Sequence, residues 1–426
     1  MARYQARRTG RGRAGVVAIA ALALAACDVD VINPGPAQDD FLDDPGAFDA
    51  VVEGAVATAG FALNWVAYTG AYISMETVPS GNVGNLFGAP TAVRERGVLE
   101  EDDNNTHWNN AHQARWVAED GIRRFERAME PDEFASSARV AKLQLRSGYG
   151  SRLLGENMCT AVFDGGPAEP RSAYWDRAEA HFTDAMATAQ AAGDTEIAMA
   201  AQAGRAAVRV YQGDWAGAVA DAEAIPRDFV YEQDYHSVDW DDYNRFFWGN
   251  NYPDSPFRAH TVWSTFYEDY YEETGDPRTP WGFDPDRPVG TVEPHPWYFQ
   301  LKHDHLTAPI NLSSGREMVL IRAEAALRNG QVDEAMDLVN SLRADVGVDP
   351  WDPGNEEEAW VALKRERGIE LWLEGRRLGD LWRWHDEGIP GQVEDMTGRS
   401  LCFPIGESEM ETNPNLGPED QVMVTG

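Results

Sequence analysis

The chain has 426 residues, 43% of them hydrophobic, and a formal net charge of -35. That is enough apolar material for a real core, which excludes global disorder. So large a negative charge excludes a phosphate-binding surface, and with it nucleic-acid binding.

Residues 1–26 read as a signal peptide. Arg3, Arg7, Arg8, Arg11 and Arg13 precede the apolar run VVAIAALALAA, which is too short to span a bilayer and ends in small residues. Leu24-Ala25-Ala26-Cys27 resembles a bacterial lipobox, so cleavage before Cys27 and lipidation of its thiol are expected. More than one acyl chain at Cys27 makes a stable membrane anchor. Residues 27–45 are polar and proline-bearing, a flexible tether. The remainder, 46–426, is expected to be one domain: a helical scaffold (46–228 and 300–426) carrying a loop-rich insertion (229–299). After Cys27 the only cysteines are Cys159 and Cys402. In an oxidising compartment these two are expected to pair, and without a CxxC spacing no cysteine-built zinc site is expected.

A glycine-rich polar stretch, VPSGNVGNLFGAP, occupies 78–90 and includes Asn82. Helical periodicity follows. Trp175, Ala178, Phe182 and Met186 hold one stripe. Ala203, Ala206, Ala207, Val210 and Tyr211 hold a second, Gly213 breaks it, and Trp215, Ala218, Val219 and Ala222 begin a third. The same grammar returns at Val319, Ala323, Ala326 and Leu327, then Gly330, then Val332, Ala335, Met336 and Val339. Small residues at the crossing points let paired helices approach closely, as in tetratricopeptide-like hairpins. The fold class is therefore mainly α.

Between the hairpins lies an aromatic insertion, with 17 aromatic residues between Phe229 and Phe283. Prolines and glycines break long helices there, and acids are plentiful. It is either a second core or a recognition surface. His303-Asp304-His305, with His295 upstream, reads as surface histidines rather than a metal site. In RERGIELWLEGRRLGDLWRW (365–384), Glu366, Glu370 and Glu374 share a helical face bordering the apolar stripe of Ile369, Trp372 and Leu373. Crowded by Arg365, Arg367, Arg376, Arg377 and Arg383, these carboxylates are expected to form a structural ion-pair network, since a nearby cation lowers the pKa that a general acid needs high.

The helix pair REMVLIRAEAALRNGQVDEAMDLVNSLRADVG, the element ERGIELWLEGRRLGDLWRW and the closing CFPIGESEMETNPNL resemble, in that order, three motifs of the SusD/RagB family of nutrient-uptake lipoproteins. The resemblance implies a SusD-like helical fold, an outer-membrane, surface-exposed location and a SusC-like TonB-dependent transporter as partner. It implies that Glu366, Glu370, Glu374, Arg376 and Asp380 are fold markers, and that the protein captures glycans without chemistry of its own. Sugars pack C–H faces on aromatic rings and have their hydroxyls read by polar side chains. The candidate ligand residues are Asn82, Trp240, Tyr243, Asn244, Trp248, Trp263 and Tyr271, with Tyr270 beside them; most of these rings are expected in the core and two or three on the ligand. The 229–283 segment is expected to meet the 79–90 loop. Capture of oligopeptides, as in the RagB branch, is the alternative. A glycoside hydrolase drawing on Asp239, Asp241 and Asp242 has no spacing to support it. No cofactor or metal is expected, and the acidic spacings lack the EF-hand pattern that would predict calcium.

Overall fold

The structure is a computed structural model that describes residues 39–81, 97–253, 258–290 and 294–426. The chain divides into 1–42 and 43–426. The signal peptide, Cys27 and nearly all of the tether lie outside the described residues, as does Asn82.

Helices dominate. α1 (Phe48–Ile73), α2 (Asn105–Ala128) and α3 (Ala138–Asn157) pack together, followed by α4 (Ser172–Ala192), α5 (Thr195–Gln212) and α6 (Trp215–Glu223). By length and apolarity α1 would suffice to cross a bilayer, yet more than half of it is buried in the core. The hairpin turns fall where the glycines predict. Gly193 and Gly213 are left-handed, and Asp194 and Asp214 accept N–H groups of the next helix from Ile197 and Gly217. Small residues do set the helix spacing. The Phe182 ring of α4 lies between Gly148 of α3 and Gly204 of α5, where added Cβ atoms would come within 2.6 and 2.5 Å of it.

The aromatic segment is less separate than an insertion over 229–299 implies. After a short antiparallel pair, β2 (Ala161–Val162) with β3 (Ala168–Glu169), the segment's first strand, β4 (Val230–Gln233), pairs antiparallel with β8 (Ile310–Ser314), beyond the expected boundary. β1 (Val78–Pro79) pairs with β5 (His260–Thr261), so the chain entering the 79–90 loop does meet the aromatic segment. Helix α7 (Phe266–Thr274) and the hairpin of β6 (Trp281–Val289) and β7 (His295–Gln300) complete it. The second hairpin scaffold follows: α8 (Gly315–Arg328), α9 (Val332–Val346), α10 (Glu356–Glu370) and α11 (Arg377–Asp386).

One helical expectation fails. α10 stops at Glu370, so Glu374 leaves the face that Glu366 and Glu370 share. Leu373 (φ 57°) and Gly375 (φ 75°) turn left-handed instead. The cause is tertiary: fully buried Glu76, just past α1, accepts the Leu373 N–H through Oε1 at 2.8 Å. A side chain almost 300 residues away thus takes the donor that the next helical turn needs.

The charged residues around this turn are paired throughout. Glu366 meets Arg278 at 2.6 Å and Arg343 at 3.0 Å, and Glu370 meets Arg316 at 2.5 Å and Arg278 at 2.8 Å. Glu374 meets Lys302 at 2.7 Å, Arg376 meets Glu156 at 2.6 Å, and Asp380 holds Arg367 and Arg383 at 2.9 and 3.2 Å. Burial pushes the Glu370 carboxyl up, but Arg316 and Arg278 outweigh it and hold its pKa below the usual range. Burial wins at Glu374, whose pKa is raised.

Cys159 and Cys402 are joined by a disulfide with Cα atoms 5.1 Å apart. The strands around it are already fastened: Cys159 N–H donates to Phe403 O (2.9 Å) and Phe403 N–H to Asn157 O (2.7 Å).

Candidate functional site

Three of the expected ligand residues converge. Trp240 lies on a three-residue 3-10 turn, Trp240–Asp242, and Trp248 on a π-helical turn, Phe247–Asn251. Their ring centroids are 5.5 Å apart, and Tyr243 sets its ring edge-on to Trp248 at 6.1 Å. Trp240 is 52% exposed, while Tyr243 and Trp248 are half-buried. Clustered rings of which one is more than half exposed can stack on a flat, hydroxyl-bearing ligand.

Helix α1 positions this cluster. Asn64, fully buried in it, donates Nδ2–H to Tyr243 O (2.8 Å) and accepts the Arg245 N–H on Oδ1 (3.1 Å). Its neighbour Trp65 offers a face to Arg245, whose Cζ lies 4.1 Å from that ring centroid, 4.8 Å from Trp248 and 5.5 Å from Trp240. One guanidinium therefore gathers three indoles. Its burial pushes the Arg245 pKa down to about 10. At Gly249 an added Cβ would fall 2.1 Å from the Tyr68 hydroxyl, so no side chain fits at that close approach to α1.

Asn244 is not a ligand residue. It is fully buried, donates to Ala308 O (2.7 Å) and accepts the Phe247 N–H (3.1 Å), so its side chain is consumed in fixing the loop. Tyr270 also belongs to the interior, donating its hydroxyl to Asp276 at 2.6 Å. Trp263 (41% exposed) stacks instead on His295 at 4.1 Å, beside Ser264, a left-handed residue with φ 61°. Tyr271 sits edge-on to Trp281 at 5.9 Å. No described ring contact joins these two to the Trp240 group. His303 is not a surface histidine: burial drives its pKa down to about 3, and its ring meets Leu373 O. Among the described residues no group of three or more His, Cys, Asp or Glu side chains is placed to hold a metal ion.

A groove of about 840 Å³ runs from α1 and the first turns of α3 and α5 along 230–236 to Asp241 and Asp242, bringing it to the aromatic cluster; Phe61 in its wall is 6.3 Å from the Trp65 ring. Eight carboxylates and three cations line it. Arg139 pairs with Asp49, Lys142 with Glu53, and Arg146 hydrogen-bonds Gln233 and Tyr231. Its field is strongly negative.

Residues 316–422 match the SusD family. No curated protein matches the chain. Among solved structures, a SusD superfamily protein from Bacteroides vulgatus superposes with a TM-score of 0.62 at 15% identity, covering 87% of this chain and 98% of that one. A laminarin binding SusD-like protein gives 0.62 at 16% identity, covering 86% and 99%. Surface glycan-binding protein A from Bacteroides uniformis gives 0.62 at 14% identity, covering 88% and 99%. The last quarter of the chain thus carries the SusD-family signature, and the matched 86–88% of the chain has the SusD-like fold.

Proposed function

Starting from a SusD-type fold and signature, we propose that the protein is a non-enzymatic surface lipoprotein. It captures glycans and passes them to a SusC-like TonB-dependent transporter in the outer membrane, to which it is anchored through Cys27. The observation that carries this reading is the half-open cluster of Trp240, Tyr243 and Trp248 on a loop pinned to α1. Tyr243 and Trp248, held on a loop fastened to a rigid helix, give recognition at little cost in ordering. Similarity to proteins named as laminarin-binding and glycan-binding supports the ligand class. Trp263 and Tyr271 lie outside this ring cluster and contribute less.

The test is calorimetry against a panel of polysaccharides. Trp248→Ala should weaken binding by about 1–3 kcal/mol, as for other flat ligands stacked on a ring, with unchanged melting. Loss of folding without specific loss of binding would make Trp248 a core residue and move the site elsewhere. Mass spectrometry of the mature N-terminus checks the anchor, and an unacylated Cys27 refutes it. Peptide capture is the second reading, favoured by the groove that follows the consecutive run 230–236. Short basic peptides in the same calorimeter decide between the two.

A further inference from the structure

Among the described buried arginines, Arg245 alone leaves two side-chain nitrogens without a hydrogen-bond acceptor. Arg152 lies between Glu156 and Glu317 at 2.6 and 2.7 Å, and Arg383 takes both oxygens of Glu324 at 2.6 and 2.9 Å. Arg245 is just as buried, yet its Nε and Nη1 have no hydrogen-bond acceptor, and Nη2 has only a 3.4 Å contact with Asp241. A guanidinium carries five N–H donors, and leaving them unmet in the interior is costly. Stacking on indole faces satisfies its charge but not its in-plane N–H groups.

The cover over this group is asymmetric. From below Arg245 is fixed, with its backbone N–H on Asn64 and its guanidinium against Trp65. Of the three indoles against the guanidinium, Trp65 and Trp248 are partly buried, whereas Trp240, 5.5 Å from Cζ, is 52% exposed and rides on a turn of three residues capped from Asp239. An exposed indole changes rotamer on a nanosecond scale without moving its backbone, so Asp241 stays in place as counter-ion.

We infer that the Trp240 indole is a swinging cover, and that Arg245 is the specificity residue beneath it, giving its unmet N–H groups to two adjacent hydroxyls of a neutral sugar. The ligand is neutral because Asp241 already balances the cation, and Asp239 and Asp242 beside it repel a uronate or sulfate ester. A guanidinium fork matches a pair of oxygens; an ammonium does not. This rests on the glycan-binding reading above, which uses only the stacking faces.

Two experiments test it. Treatment with phenylglyoxal and peptide mapping reads access to the guanidinium directly: Arg245 should be protected in the native protein and at least ten-fold more reactive in Trp240→Ala. Equal reactivity in the two overturns the cover. Calorimetry then uses laminarin, galactomannan and xyloglucan as neutral probes, with alginate and polygalacturonate as anionic ones. Arg245→Lys, which keeps charge and bulk, should bind the neutral probe at least ten-fold more weakly with melting unchanged, and Arg245→Met should do no better. If Trp248→Ala loses binding while Arg245→Lys stays within two-fold, the stacking platform stands and this inference falls. A preference for the anionic probes overturns the ligand class. Failure of the native protein to bind any polysaccharide removes the glycan reading and the inference together.

Discussion

Replacing Glu366 with glutamine separates a structural carboxylate from a functional one. The side chain is fully buried, with Oε1 2.6 Å from Arg278 and Oε2 3.0 Å from Arg343 and 2.9 Å from the Trp351 indole N–H. In the variant Arg278 keeps Asp276 and Glu370, whereas Arg343 keeps only neutral acceptors, the Asp349 carbonyl at 2.5 Å and the Tyr270 hydroxyl at 3.0 Å. One buried cation is thus left without a counter-charge, which costs about 3–5 kcal/mol. The retained amide oxygen still accepts one hydrogen bond, so a value near the lower end, about 3 kcal/mol, is expected. Urea unfolding should show it as a lower midpoint with an unchanged slope. Arg343→Met in the Glu366→Gln background should restore part of the loss, because it removes the stranded charge. A cost below about 1 kcal/mol, or lost ligand affinity at unchanged stability, would refute the structural reading.

Three further outcomes follow from the fold. Cys159→Ala should lower stability by about 2–5 kcal/mol, less than the loop-entropy maximum because the flanking backbone bonds persist; equal melting of oxidised and reduced protein would show the bridge to be idle. Burial pushes the Glu76 pKa up to about 7 from the usual 4.5. Between those values the folded protein holds a proton that the unfolded chain has released, so this group's contribution falls as pH rises through the window, by up to about 3 kcal/mol. Glu76→Gln should flatten that slope and stabilise above pH 7, and an unaltered pH–stability curve would refute it. Gly204→Ala drives a methyl to within 2.5 Å of the Phe182 ring and should cost about 1–3 kcal/mol, with Phe182→Leu recovering part of it in a thermal melt.

The helical hairpins were legible because their causes are local. Gly213 and Gly330 end helices through their own backbone freedom, and alanines at helical spacing face each other across the crossings. The ends of α10 and the partners of its charges were not legible. Leu373 continues the apolar stripe that a helix would bury, and only Glu76 diverts it. Arg278, Arg316 and Arg343 reach Glu366 and Glu370 from elements that no spacing rule connects to them. At the candidate site the exposed rings were legible as a compositional excess, but their framework was hidden. Asn244 carries the side chain of a hydroxyl reader and spends it on Ala308 and Phe247. Asn64 and Arg245 escaped notice, although a lone amide in an apolar helix and a lone cation in Tyr243-Asn-Arg-Phe-Phe-Trp248 were the available signals.

Among the described residues the interior is close to electrically neutral: eleven arginines and Lys364 are buried against ten carboxylates. Cations that would otherwise decorate the outside are thus enclosed, and the negative excess of the sequence is carried by exposed carboxylates around them. The molecule behaves as a polyanion wrapped around a compensated centre. Neighbouring copies repel at separations within the ~8 Å Debye length of physiological salt, which spaces them apart on any surface they share. Any macromolecule that docks closely must bring a basic face or admit counter-ions to the seam. Its association rate should climb steeply as salt is lowered, whatever the small ligand turns out to be.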